Sequence, residues 1–203
     1  MNKFPILPPK SLPMALFFTA STKEMFNLKN QIFVDKGIPA LYQQGFVESP
    51  FTSSWDGKDG HIGSIYDLCR LKDNSVLEMI TVYIVRGDRW IQIHLNVFVL
   101  SPTVTSMEEL EGREGFYYNT HPSCESKMRL RGDDANEVPL FDLNSMFRNH
   151  KIYSYFTEKG LKKRATQLGN RIEKDLTNID QFIKRWHERF KPNKTDWEGE
   201  SIN

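Results

Sequence analysis

The sequence predicts an α+β domain in which an antiparallel sheet of about four to six strands, within residues 64–131, packs against N- and C-terminal helices. Three observations carry this. Extended segments rich in Ile, Val, Leu and Tyr (64–71, 76–86 and 89–100) follow one another across short turn sequences at 72–75 and 86–89. Near the C-terminus Leu161, Ala165, Leu168, Ile172, Leu176, Ile179, Ile183, Trp186 and Phe190 recur every three or four residues, which is the apolar stripe of a helix. Fourteen Phe, seven Tyr and four Trp among 203 residues supply the bulk for one core without disulfides or metal.

Residues 1–20 read as an extended arm, because Pro5, Pro8, Pro9 and Pro13 each fix φ and remove a donor. Ser21 followed by Glu24 forms a capping box, and Met25, Leu28, Ile32 and Phe33 then fall at helical spacing up to a stop at Gly37. Pro39 opens a short second helix that ends by Gly45. Residues 48–63, with Pro50 and Ser, Asp and Gly around Trp55, read as a loop. In the third strand Ile91, Ile93, Leu95, Val97 and Val99 share one face, while Trp90, Gln92, His94, Asn96 and Phe98 share the other. An acidic loop, 108–114, precedes two shorter strand candidates at 115–119 and 126–131. A helix is expected from Asp142 to about Phe156, and a longer one from a Thr157 cap to about Phe190, with Gly169 bending it or admitting a neighbour. The chain thus divides into an arm (1–20), a single domain (21–191) and a flexible polar tail (192–203).

The net charge of +1, from 27 basic and 26 acidic residues, excludes a strongly basic nucleic-acid binder and an acidic nucleic-acid mimic. The distribution is uneven. Residues 146–194 carry 13 Lys and Arg against 5 Asp and Glu, so a basic helical end adjoins a mildly acidic sheet region. Cys69 and Cys124, far apart and outside any CxxC, read as free thiols of a cytoplasmic protein. No secretory signal and no membrane-spanning run is legible. The motifs of P-loop hydrolases, Rossmann oxidoreductases, zincins and serine hydrolases are missing.

Several candidate sites remain. Lys162, Lys163, Arg164, Arg171, Lys184 and Arg185 of the long helix could contact phosphates, or form a solvated face that docks an acidic partner. Glu125 and Lys127 have the ExK form of Mg²⁺-dependent nucleases, in which a carboxylate holds the metal and the lysine helps to activate water. His121 and Cys124 form a zinc half-site or a nucleophile–base pair, with Cys69 and His94 as conceivable distant partners. His94 and Asn96, flanked by Trp90, line a pocket or form a hydrogen-bonded pair beneath the long helix. Phe51 and Trp55 sit in an aromatic surface loop of the composition that makes interface hot spots, and the acidic 108–114 stretch suits a basic partner. The expectation is a non-enzymatic, cytoplasmic protein-binding module of the immunity, antitoxin or accessory type, without a cofactor, metal or membrane. The alternatives are the ExK nuclease and a nucleic-acid binder using the basic helix.

Overall fold

The computed structural model describes residues 18–58, 63–116, 124–131 and 149–202, so most of the proline-containing arm lies outside the described residues. Among the described residues seven strands form one sheet: β1 (Val47–Glu48), β2 (Asp56–Lys58), β3 (Gly63–Lys72), β4 (Val76–Val85), β5 (Gln92–Leu100), β6 (Met128–Arg129) and β7 (Asn193–Thr195). The main order is β1-β3-β4-β5-β6, antiparallel throughout; β2 also pairs antiparallel with β3, and β7 runs parallel to β5. The β3–β4 turn places Asp73 and Asn74 at φ 52° and 57°, the left-handed region that Asp and Asn tolerate best among residues with a side chain. The fold is therefore α+β with an antiparallel sheet, as the strand alternation predicts.

Period two divides the sheet into two faces. Ile80, Val82 and Ile84 of β4, with Ile93, Leu95 and Val97 of β5, face the helices and form the larger core with Phe33, Leu168, Ile172, Leu176, Ile183 and Trp186. On the opposite face Cys69, Leu77, Met79 and Phe98 pack against Val104, Leu110 and Phe116 from the segment that follows β5. The second face is thus half covered by loop and half polar.

The helices begin as their caps dictate. Ser21 Oγ accepts the Glu24 amide at 3.2 Å and the Glu24 carboxylate accepts the Ser21 amide at 2.8 Å, which starts α1 (Thr22–Ile32). Gly37 does not end the helical run as expected. A π-helical turn, Phe33–Gly37, leads directly into α2 (Ile38–Gln43). A Cβ at Gly37 would lie 2.4 Å from the Phe33 ring, so the glycine admits that ring alongside the helix. Thr157 accepts the Gly160 amide at 3.0 Å and opens α3 (Glu158–Thr177). The single long helix expected here breaks at Asn178, φ −108° and ψ 31°, and restarts as α4 (Ile179–Arg189). Asn178 Nδ2 donates to the Lys174 carbonyl at 2.7 Å, satisfying one acceptor at the end of α3. One non-helical residue leaves the apolar stripe on the same side.

Three further expectations are corrected. Within the helix expected over 142–156, residues 142–148 lie outside the described residues and 149–156 are not helical. Ile91 donates to the His150 carbonyl at 2.9 Å and Ile152 to the Arg89 carbonyl at 3.0 Å, an extended pairing that buries Ile152. Gly115 and Phe116 form no strand, residues 117–119 lie outside the described residues, and the 126–131 segment reduces to β6. The polar tail adds β7, with Thr195 fully buried and Ser101 donating to its carbonyl at 2.8 Å. Parallel pairing needs only backbone groups, so a polar sequence gave no sign of it.

Candidate functional site

Register brings Asp67, Thr81, His94 and Arg129 side by side across β3, β4, β5 and β6 on the second sheet face. Asp67 is bracketed: Thr81 Oγ1 donates to Oδ1 at 2.6 Å and the Trp55 amide to Oδ2 at 3.0 Å. Burial pushes the Asp67 carboxyl up to about 6, against these two hydrogen bonds. Burial, reinforced by the cations Lys127 and Arg129, pushes His94 down to about 3, so the imidazole is neutral at physiological pH. Tyr83 meets the His94 ring edge-on at 6.1 Å, and Asn96 occupies the next row, opposite Met79. Trp90 is flanked by two cations, Arg129 at 4.6 Å and Lys151 at 4.9 Å. His94 and Asn96 are buried, but α3 and α4 cover the other face. The expectation of a pair beneath the long helix is therefore corrected: alternation puts the polar residues opposite the helical layer.

The aromatic loop divides into two roles. Phe51 is 4% exposed, edge-on to Phe116 at 5.5 Å, and belongs to the second core, so its expected place at the surface is corrected. Trp55 is 47% exposed. Of the six large hydrophobics exposed among the described residues, three (Tyr42, Val47 and Trp55) stand along the β1–β2 edge of the sheet. Val47 is registered opposite Cys69, and the Asp67 amide donates to the Trp55 carbonyl at 2.8 Å, so both residues border β3 from outside. Tyr42 Oη donates to Glu48 at 2.9 Å, and Asp56 is exposed beside Trp55. The acidic loop joins this surface: the amides of Thr52 and Ser53 donate to the Arg113 and Glu114 carbonyls at 2.8 and 3.1 Å. Glu108, Glu109, Glu111 and Glu114 are all exposed. The exposed aromatics Tyr42 and Trp55 thus each have an acidic neighbour, Glu48 and Asp56.

The basic helix residues do not act as one patch. Lys162 pairs with Glu158 at 2.7 Å, and Lys163 and Lys184 are exposed on other sides of their helices. Arg164 and Arg171 instead face a cleft of about 620 Å³, where they meet Lys174 of the same helix and Arg131 and Lys151 from elsewhere in the chain. Arg185 lines an adjoining recess. At its floor Arg131, at φ 56°, forks onto Asp175, with Nη2 donating at 2.6 Å and Nε to the second oxygen. His150 Nε2 lies 2.7 Å from the same oxygen. Burial alone would raise Asp175, but Arg131 and His150 hold it below the usual carboxylate range. Burial pulls the His150 imidazole below its ordinary range, with its hydrogen bond to Asp175 opposing. Arg131, Lys151, His150 and Asp175 were not singled out in the sequence; the only local hint is that Lys151 and Tyr153 alternate.

Glu125 lies in the turn before β6 and is exposed; Lys127 adjoins that strand, its ammonium held below its ordinary pKa chiefly by burial. No group of three His, Cys, Asp or Glu residues converges to hold a metal ion among the described residues. His121 lies outside them. Both cysteines are free; Cys124 is exposed, while Cys69 is buried and its thiol is pushed up to about 12. No helix among the described residues is long and apolar enough to cross a membrane. Comparison with protein-family models, curated proteins and solved structures finds no match to this chain.

Proposed function

We propose that this chain is a non-enzymatic protein-binding module that captures a basic partner on its β1–β2 edge. The carrying observation is the clustering of exposed Tyr42, Val47 and Trp55 on one sheet edge, with Glu48 and Asp56 beside them and the backbone of the acidic 108–114 stretch joined to Thr52 and Ser53. An exposed Trp among polar neighbours is the composition of an interface hot spot, and acidic neighbours steer a partner of opposite charge. The two free thiols fit a reducing, cytoplasmic setting.

The test is affinity capture from native lysate with the tagged chain and its Trp55→Ala variant, both checked for the same thermal unfolding. A stoichiometric basic protein held by the parent and weakened about thirtyfold or more in the variant supports the reading, as befits a hot-spot tryptophan. Equal capture by both chains, or no stoichiometric partner, refutes it. Phe51 is unsuited to this test because its replacement would open the second core.

A further inference from the structure

The cleft on α3 has a second function to offer, independent of the edge. Arg164, Leu168, Arg171 and Lys174 follow at helical spacing and share one face of α3, and Lys151 and Tyr153 face them from an extended segment that presents alternate residues to one side. Five cations line the cleft, and no carboxylate does so among the described residues. Among the described residues, two acids of α3 itself are engaged away from the cleft: Glu158 with Lys162 at 2.7 Å, and Glu173 with Lys36 at 3.1 Å. Asp175 borders only the adjoining recess, where both its oxygens are taken by Arg131 and His150. Arg131 is thereby held in position rather than simply cancelled. Arg171 is fixed too, through one guanidinium N–H to the Asn149 carbonyl at 3.0 Å. Burial and the neighbouring Arg131 both disfavour its charge, a repulsion that an anion between them would relieve.

We propose that this cleft binds a small organic phosphoanhydride, a nucleoside di- or triphosphate in chemical class, with its phosphates on Lys151, Arg171 and Lys174 and its organic group against the half-buried Tyr153. The volume lies in the range of small-molecule sites. Guanidinium forks match phosphate oxygens in pairs, and lysines add mobile point charge. A long nucleic acid fits less well, because Lys163 and Lys184 lie outside the concavity and Glu158, Glu173 and Glu188 interrupt the helix surface around it.

The experiment is isothermal titration of the full chain with ATP, inorganic pyrophosphate, adenosine and a single-stranded oligonucleotide at about 50 mM salt, where screening is weak. Lys174→Gln and Lys151→Gln are the cleft variants, Lys163→Gln the control, and each is checked by thermal unfolding. ATP is expected to bind more tightly than pyrophosphate, with adenosine silent. Each cleft variant should weaken ATP about tenfold, the loss of one charge-assisted contact, while Lys163→Gln stays within about twofold. No binding of ATP, or equal weakening by Lys163→Gln, overturns the site. Pyrophosphate as tight as ATP overturns the organic-group contact and leaves an inorganic anion as the ligand. An oligonucleotide tighter than ATP, weakened as much by Lys163→Gln as by Lys174→Gln, overturns the small ligand in favour of a nucleic-acid surface. Trp55→Ala should leave ATP binding unchanged, so failure of the edge reading does not touch this one.

Discussion

Single residues in this chain have opposite effects on stability as the pH changes. Asp67 is 8% exposed and titrates near 6 in the folded protein, above the 3.8 of an exposed aspartate. A raised carboxyl favours folding fully below about 3.8, and that contribution is lost as pH rises through about 6. The shift corresponds to about 3 kcal/mol at neutral pH. Asp67→Asn should remove the loss, because its amide can accept from Trp55 and donate to the Thr81 hydroxyl. The variant is expected to be more stable than the parent at pH 7 and equal to it near pH 4, as read from urea midpoints across that window. Parallel midpoint curves would show that Asp67 is not the source. His94 acts in the other direction: held down at about 3 from 6.5, it leaves stability intact above 6.5 and erodes it as pH falls. Among the described residues Lys29 is a fully enclosed cation, with its ammonium donating to the Val85, Asp88 and Trp90 carbonyls at 2.9, 2.7 and 3.2 Å. Those three acceptors fasten α1 to the β4–β5 turn. Burial still pulls the amine down to about 8, with Asp88 opposing.

Among the elements, the segment after β5 shows how a loop becomes a core layer. It carries Val104, Leu110 and Phe116 onto the second sheet face, and Phe116 stacks on Phe98 at 4.2 Å. Gly115, at φ 78°, lets Phe51 close over this layer, since a Cβ there would sit 2.2 Å from the Phe51 ring. Gly112 has nearly the same backbone, φ 75°, with nothing within 4 Å of a Cβ. Alanine at Gly112 should therefore cost only the left-handed strain, about 1 kcal/mol, whereas alanine at Gly115 adds overpacking and should cost about 3 kcal/mol. Thermal denaturation of the two variants measures the difference; similar losses would mean that Phe51 has room to move. The helices were legible because Ser21, Thr157 and the three-and-four spacing are local signals. The break at Asn178 was not, because one non-helical residue barely disturbs the spacing.

For the whole molecule, the tail and the two charged surfaces matter most. β7 pairs with β5 over Phe98, Val99 and Leu100, and Trp197 Nε1 donates to the Pro102 carbonyl at 2.7 Å beneath Arg113. Ending the chain after Lys191 should lower the urea midpoint and promote self-association through the uncovered β5 edge, detectable by sedimentation velocity. An unchanged midpoint and a single monomeric boundary would show that β7 is dispensable. The alternating strands, the caps and the C-terminal stripe determined the class of the fold, since period two and period 3.6 are written into neighbouring residues. They also placed Trp55 in a loop and concentrated cations on the last helices. Tertiary structure alone decided that Phe51 is core, that His94 and Asn96 lie away from the helices, and that Arg131 and Lys151 join Arg164, Arg171 and Lys174 around one cleft. The reason is physical: local sequence sets which way a side chain points along its own element, but what it meets there depends on chain segments far away in sequence, and those meetings create the burial and the fields that make a site.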